Sequence, residues 1–189
     1  MADTHFTARG LQDSFAAAAA ASATGGPLPA HSPQCLGCGP DNPHGHHLEV
    51  RRDKDRVLAR HVFDTRHVGG PDVAHGGAVA AVLDDLCGFV LYVVGQLAVT
   101  RNLSVDYFAP ARLNIPYDLS GWLAYRQGRK LFLRTQGHDP DGRLAFSSDA
   151  VFLAVTAEHF ARANAQNGLF GKHNDPATET SGRDLPGNP

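Results

Sequence analysis

The sequence has no excess charge of either sign: 17 Lys and Arg against 19 Asp and Glu leave a formal net charge of -2 and a pI ≈ 6.6. The basic footprint that nucleic acid or an anionic membrane surface requires is missing, so neither is expected as a partner. Cysteine is scarce. Three cannot all pair within one chain, and two of them sit in Cys35-Leu36-Gly37-Cys38, which argues against a secreted disulfide framework. No run approaches the eighteen or so apolar residues of a membrane-spanning helix, and Asp3 precedes the first Arg, unlike a signal peptide. A cytoplasmic protein is the expectation. A G-x-S-x-G elbow is also absent, which removes the usual frame for a Ser-His-Asp esterase, and Ser104 has no such context.

What remains, 42% hydrophobic residues in a chain of 189, suits one core-forming domain with tails. Residues 1–33 are small, polar or rich in Gly and Pro and read as a mobile leader. The run of small side chains after Phe15 can form a nascent helix but has no apolar stripe with which to dock. Residues 34–167 carry the domain, with a short helix near 157–167, and residues 168–189 lack apolar periodicity and read as a disordered tail.

The domain is organised around His75-Gly76-Gly77 and the apolar run that follows. The glycines permit a tight bend, and a helix that starts there leaves its first N–H groups unpaired, free to face an anion or a developing negative charge. At helical pitch Val79, Val82, Leu83, Leu86, Val90 and Val93 form one stripe, with Gly77, Ala81, Asp84, Gly88 and Leu91 roughly opposite. The helix should end near Gly95 and be largely buried. Asp84 and Asp85 on such a helix each need a solvated rim, a partner or a task, because burying an unpaired carboxylate is expensive.

Strands are expected at Leu48–Arg51 and Val57–Phe63 before the helix. After it they are expected at Ala98–Phe108, Tyr117–Tyr125, Lys130–His138 and Leu144–Thr156, with hairpin turns at Gly128 and Gly142. This order predicts an α+β fold, an antiparallel sheet packed around one helix. Cys35 and Cys38 have zinc-ligand spacing, and His44, His46 and His47 follow. No second pair closes the set, and Gly37, Gly39, Pro40 and Pro43 explain the segment as turns, so no metal is expected. Cys87, in mid-helix, reads as a small core residue.

His75-Gly76-Gly77 with Asp84 nine residues after the histidine resembles the signature of hotdog-fold acyl-CoA thioesterases of the PaaI-like type. Cys35–Gly45, His67–Pro71 and Thr100–Tyr107 resemble, in order, that family's entry segment, its approach to the motif and its first long strand after the helix. The resemblance implies the hotdog fold, hydrolysis of an acyl thioester and no cofactor. It implies Asp84 as base or nucleophile, the Gly76 N–H as oxyanion donor beside Gly77, and Thr100 as a hydroxyl that places the attacking water. His75 would orient the carbonyl or simply bond a backbone group at the helix start. His67, Asn102 and Asp106 would lie toward the substrate, although an acidic Asp106 would repel a phosphate. A non-catalytic acyl-CoA binding protein of the same fold is the alternative. Gly76 and Asp84, eight residues apart, are separated by roughly 12 Å along a helix. A homodimer with composite sites is therefore expected, with further pairing to a tetramer left open.

Overall fold

The computed structural model describes residues 13, 15–18, 20, 26–156 and 159. Strands β1 (Val50–Asp53) and β2 (Arg56–Val62) form a hairpin turned at Lys54, whose φ is 56°. A short 3-10 turn, Thr65–His67, and the strand pair β3 (Val68–Gly70) and β4 (Val73–Ala74) lead into helix α1, Gly76–Val94. Four strands follow: β5 (Ala98–Tyr107), β6 (Pro116–Gln127), β7 (Lys130–His138) and β8 (Leu144–Ala154).

The six long strands make one antiparallel sheet in the order β1-β2-β6-β7-β8-β5, wrapped around α1 as expected. Gly128 and Gly142, both at positive φ, close the β6–β7 and β7–β8 connections. Strand β5 does not pair with β6, its neighbour in sequence; it crosses to the far edge and pairs with β8.

α1 opens on His75, whose ring accepts a hydrogen bond from the Gly77 N–H, and closes on Gly95 in the left-handed region, φ 69°. Val79, Val82, Leu83, Leu86 and Val90 are buried as the stripe requires, and Val93 is half-buried. By length and mean hydropathy α1 could cross a membrane, but most of it is buried inside the fold.

A second face of α1 is buried too. Asp85, Gly88, Phe89 and Tyr92 lie three and four residues apart on one side, and the chain before β1 covers them. The Phe15 ring meets Tyr92 at 4.7 Å, and the His31 ring meets Phe89 at 4.3 Å. The leader read as mobile over residues 1–33 therefore has docked parts: Ala18 and Leu28 are buried, and residues 26–28 bond along the outer edge of β1. The run after Phe15, expected to have nothing with which to dock, uses that phenylalanine and the small Ala18. The rest of the leader, the tail over 168–189 and all but His159 of the helix expected near 157–167 lie outside the described residues.

Candidate active site

Two elements meet at Asp84. α1 presents its carboxylate, β5 runs beside the helix, and the Thr100 hydroxyl donates to Asp84 Oδ1 at 3.0 Å. Thr100 reaches inward because of a β-bulge. Its Cα partner on β8 is Phe152, whereas Asn102 already faces Val151, so Arg101 is the extra residue. Before the bulge, Ala98 and Thr100 take the helix side; after it, Leu103 and Val105 pack on the core and Tyr107 reaches the helix. Burial pushes the Asp84 carboxyl above the usual carboxylate range, with the Thr100 hydroxyl pulling against it. An ionised Asp84 in this setting is a stronger base than a solvated aspartate.

At the helix start the His75 ring is committed to the Gly77 N–H at 2.9 Å, so the backbone role expected for it is realised. The same bond removes Gly77 as a free donor. The Gly76 N–H carries no hydrogen bond among the described residues, while the Gly76 carbonyl accepts from the Tyr107 hydroxyl at 2.7 Å. Tyr107 was not singled out in the sequence beyond its place in the family-like strand; only the inward parity after the bulge brings it to Gly76. A cavity of ≈ 420 Å³ opens here, lined by Val73, Gly76, Val79, Tyr107, Phe108 and Pro110. Val68, Tyr107 and Phe108 are about half exposed, at 56%, 49% and 60%.

The remaining candidates lie apart. His67 is buried; its ring accepts from the Asp64 N–H, its carbonyl accepts from the His75 N–H, and it stacks on His46. It supports the approach to the motif from behind. Asn102 and Asp106 are exposed on β5, and their parity puts them on the face turned away from α1. Cys87 is fully buried and its thiol is pushed up by burial, which fits a core residue.

The turn at Cys35–Cys38 differs from its sequence reading. His44 and His47 are engaged with Asn42, and His46 faces His61 and His67. His31, just before the cysteines, and Asp85, on α1 and 50 residues beyond Cys35, close on them instead: His31 Nδ1 lies 3.0 Å from Asp85 Oδ1, and Cys35 Sγ lies 3.2 Å from the same oxygen. Asp85, adjacent to Asp84 in sequence, thus faces a different set of partners.

Residues 72–146, from the turn before β4 to the start of β8, match the family model described as the thioesterase superfamily. The likeness to the thioesterase superfamily is carried by this segment. The chain is similar to the acyl-coenzyme A thioesterases THEM4 of Rattus norvegicus, 35% identical over 88 residues, and Xenopus laevis, 32% over 90. Each match takes in 46% of this chain but only 38% and 40% of the relatives, so the chain spans about four-tenths of their length. Among solved structures, a thioesterase superfamily protein superposes with a TM-score of 0.61 at 26% identity, over 64% of this chain and 60% of its own. A hypothetical thioesterase of Streptococcus pneumoniae TIGR4, solved with coenzyme A, superposes at 0.55 with 17% identity, over 58% and 86%. The fold is the α+β hotdog arrangement of the PaaI-type thioesterases.

Proposed function

We propose that the chain hydrolyses acyl-CoA thioesters, with Asp84 as the group that drives the attack. The observation that carries this reading is the Asp84 carboxylate, raised in pKa by burial and held by the Thr100 hydroxyl at 3.0 Å. The acyl-coenzyme A thioesterase relatives support coenzyme A as the thiol. Two routes use the same carboxylate. Asp84 takes a proton from a water that attacks the thioester carbonyl, or it attacks the carbonyl itself to form a mixed anhydride that water then cleaves. Either route puts negative charge on the carbonyl oxygen, for which the unpaired Gly76 N–H at the helix start is the donor. Collapse of the tetrahedral intermediate expels the thiolate, which takes up a proton.

Gly76 and Asp84 of one helix, roughly 12 Å apart, cannot serve one carbonyl whose reacting neighbours must come within about 3 to 3.5 Å. The chain acts as a homodimer in this reading, with Gly76 of one protomer facing Asp84 of its partner. Support comes from the exposed apolar side chains Tyr107 and Phe108, which line the cavity at Gly76, and from the outer edge of β5, unpaired among the described residues.

The test is thiol release from a panel of acyl-CoA substrates by wild type and Asp84→Ala. Binding of acyl-CoA without hydrolysis would favour the non-catalytic alternative. Composite sites are tested by co-folding Asp84→Ala chains with Gly76→Pro chains, each first shown to be an inactive, folded dimer. Random mixing should restore about a quarter of wild-type activity, since half the dimers are mixed and each holds one intact site. No restored activity in verified mixed dimers rejects the composite site.

A further inference from the structure

Away from Asp84, the described residues hold two clusters of ligand-type side chains: His46, His61 and His67, and His31, Cys35, Cys38 and Asp85. The three histidines do not share an ion in this arrangement. The rings of His46 and His67 are stacked at 4.2 Å with 12° between their planes, and a metal must lie near the plane of every imidazole whose lone pair it takes. Two stacked planes have no such point in common.

The second cluster does. Asp85 Oδ1 lies 3.0 Å from His31 Nδ1, 3.2 Å from Cys35 Sγ and 3.7 Å from Cys38 Sγ, and Cys38 Sγ lies 3.2 Å from His31 Nδ1. A tetrahedral zinc ion at ordinary bond lengths holds N, O and S ligands about 3.3 to 3.8 Å apart. These four separations sit within a few tenths of an ångström of such a shell, and all four atoms lie within 4.8 Å of one another. As hydrogen bonds alone the contacts compete. A neutral His31 Nδ1 either donates to Asp85 or accepts from Cys38 and cannot do both, and an imidazolium has one Nδ1–H to divide between them. Asp85 Oδ1 would collect three donors while Oδ2, also buried, has none, on a side chain only 8% exposed. One cation among them takes a lone pair from each ligand and removes the conflict.

The backbone is shaped for the same purpose. The His31 N–H donates to Cys38 Sγ at 3.2 Å, a bond that favours a thiolate. A Cβ on Gly37 would come within 2.1 Å of Asp85 Cγ, and one on Gly88 within 2.8 Å of the His31 ring, so the turn and the ring approach α1 where α1 and the turn lack side chains. Two thiolates with an imidazole and a carboxylate select zinc over magnesium or calcium, and four protein ligands leave no open position for catalysis.

We propose that His31, Cys35, Cys38 and Asp85 bind one structural Zn²⁺, which fastens the segment before β1 to α1 beside Asp84. Binding releases the two thiol protons and forms two S–Zn bonds with one N–Zn and one O–Zn bond. This reverses the expectation of an unliganded turn drawn from the Cys-x-x-Cys alone.

The test does not depend on enzymatic activity. The full chain, expressed with zinc present and purified under reducing conditions, is expected to carry about one zinc per chain by elemental analysis. Replacing the metal by Co²⁺ should produce the intense near-ultraviolet charge-transfer band of cobalt–thiolate bonds together with tetrahedral visible bands. Cys38→Ser should lose most of the zinc, and a strong chelator should lower the melting temperature of wild type but not of Cys38→Ser. If Cys38→Ser does not fold, the cobalt spectrum of wild type decides. Reduced wild type that takes up neither zinc nor cobalt overturns the proposal. So does full zinc content in Cys38→Ser, or a Cys35–Cys38 disulfide whose reduction yields no metal binding.

Discussion

Asp84 is held by a single donor, Thr100, against the burial that raises its pKa. A carboxylate whose folded-state pKa lies above its unfolded value makes the folded state less stable once it ionises, and the penalty is relieved as pH falls. Asp84→Asn is therefore expected to raise the stability of the fold at neutral pH while lowering hydrolysis by about 10³-fold. Thermal unfolding and thiol release on the same preparations check both halves; equal stability with lost activity would show that the carboxylate is better solvated than its surroundings indicate. Thr100→Val removes the group that lowers the Asp84 pKa, so the acid limb of the kcat profile should move to higher pH. A limb that stays in place would show that Thr100 does not act through Asp84. At this scale His75, Asp84 and Thr100 were legible because their types and spacing repeat a family signature. The partners of Asp85 were not legible, since His31 lies 54 residues away and nothing local announces it.

Strand β5 shows what alternation can hide. Its apolar residues Leu103 and Val105 give the inward face, yet Thr100 also faces inward, and only the extra residue at Arg101 reconciles them. Thr100, Arg101 and Asn102 are all polar and exposed, so the change of phase leaves no mark in the hydrophobic pattern. For that reason Asn102 and Asp106, read as facing the substrate, take the side away from α1. Deleting Arg101 should restore simple alternation, turn Thr100 outward and lower kcat at least as far as Thr100→Val does. Activity near wild type in a folded deletion variant would show that the bulge has no part in the site. The helix was easier to read, because its apolar run, its histidine start and its glycine stop all agree.

The histidines His46, His61 and His67 join the entry segment, β2 and the turn before β3 into one buried group. Burial first, then neighbouring histidines and Arg66, hold His46 down to about 4 and His61 down to about 3, with Asp64 partly offsetting them; His67 is lowered as well. The unfolded chain takes up these protons from about pH 6.5 downward and the folded chain does not until far lower pH. Stability is therefore complete above about pH 6.5 and falls as the pH drops toward 4 and 3, by about 1.4 kcal/mol per pH unit for each proton involved. Denaturant unfolding at pH 7, 6 and 5 should show this slope, and His61→Leu should flatten it by about one proton's share; an unchanged slope would place the proton uptake elsewhere. The sheet order has a further consequence, for the sequence of events as the chain is made. β6, β7 and β8 zip together through short hairpins, but β5, finished at Tyr107, has no partner until β8 arrives at Leu144–Ala154. The strand that brings Thr100 to Asp84 is thus among the last to be secured, so a chain still emerging from the ribosome holds its helix long before it holds a working pair.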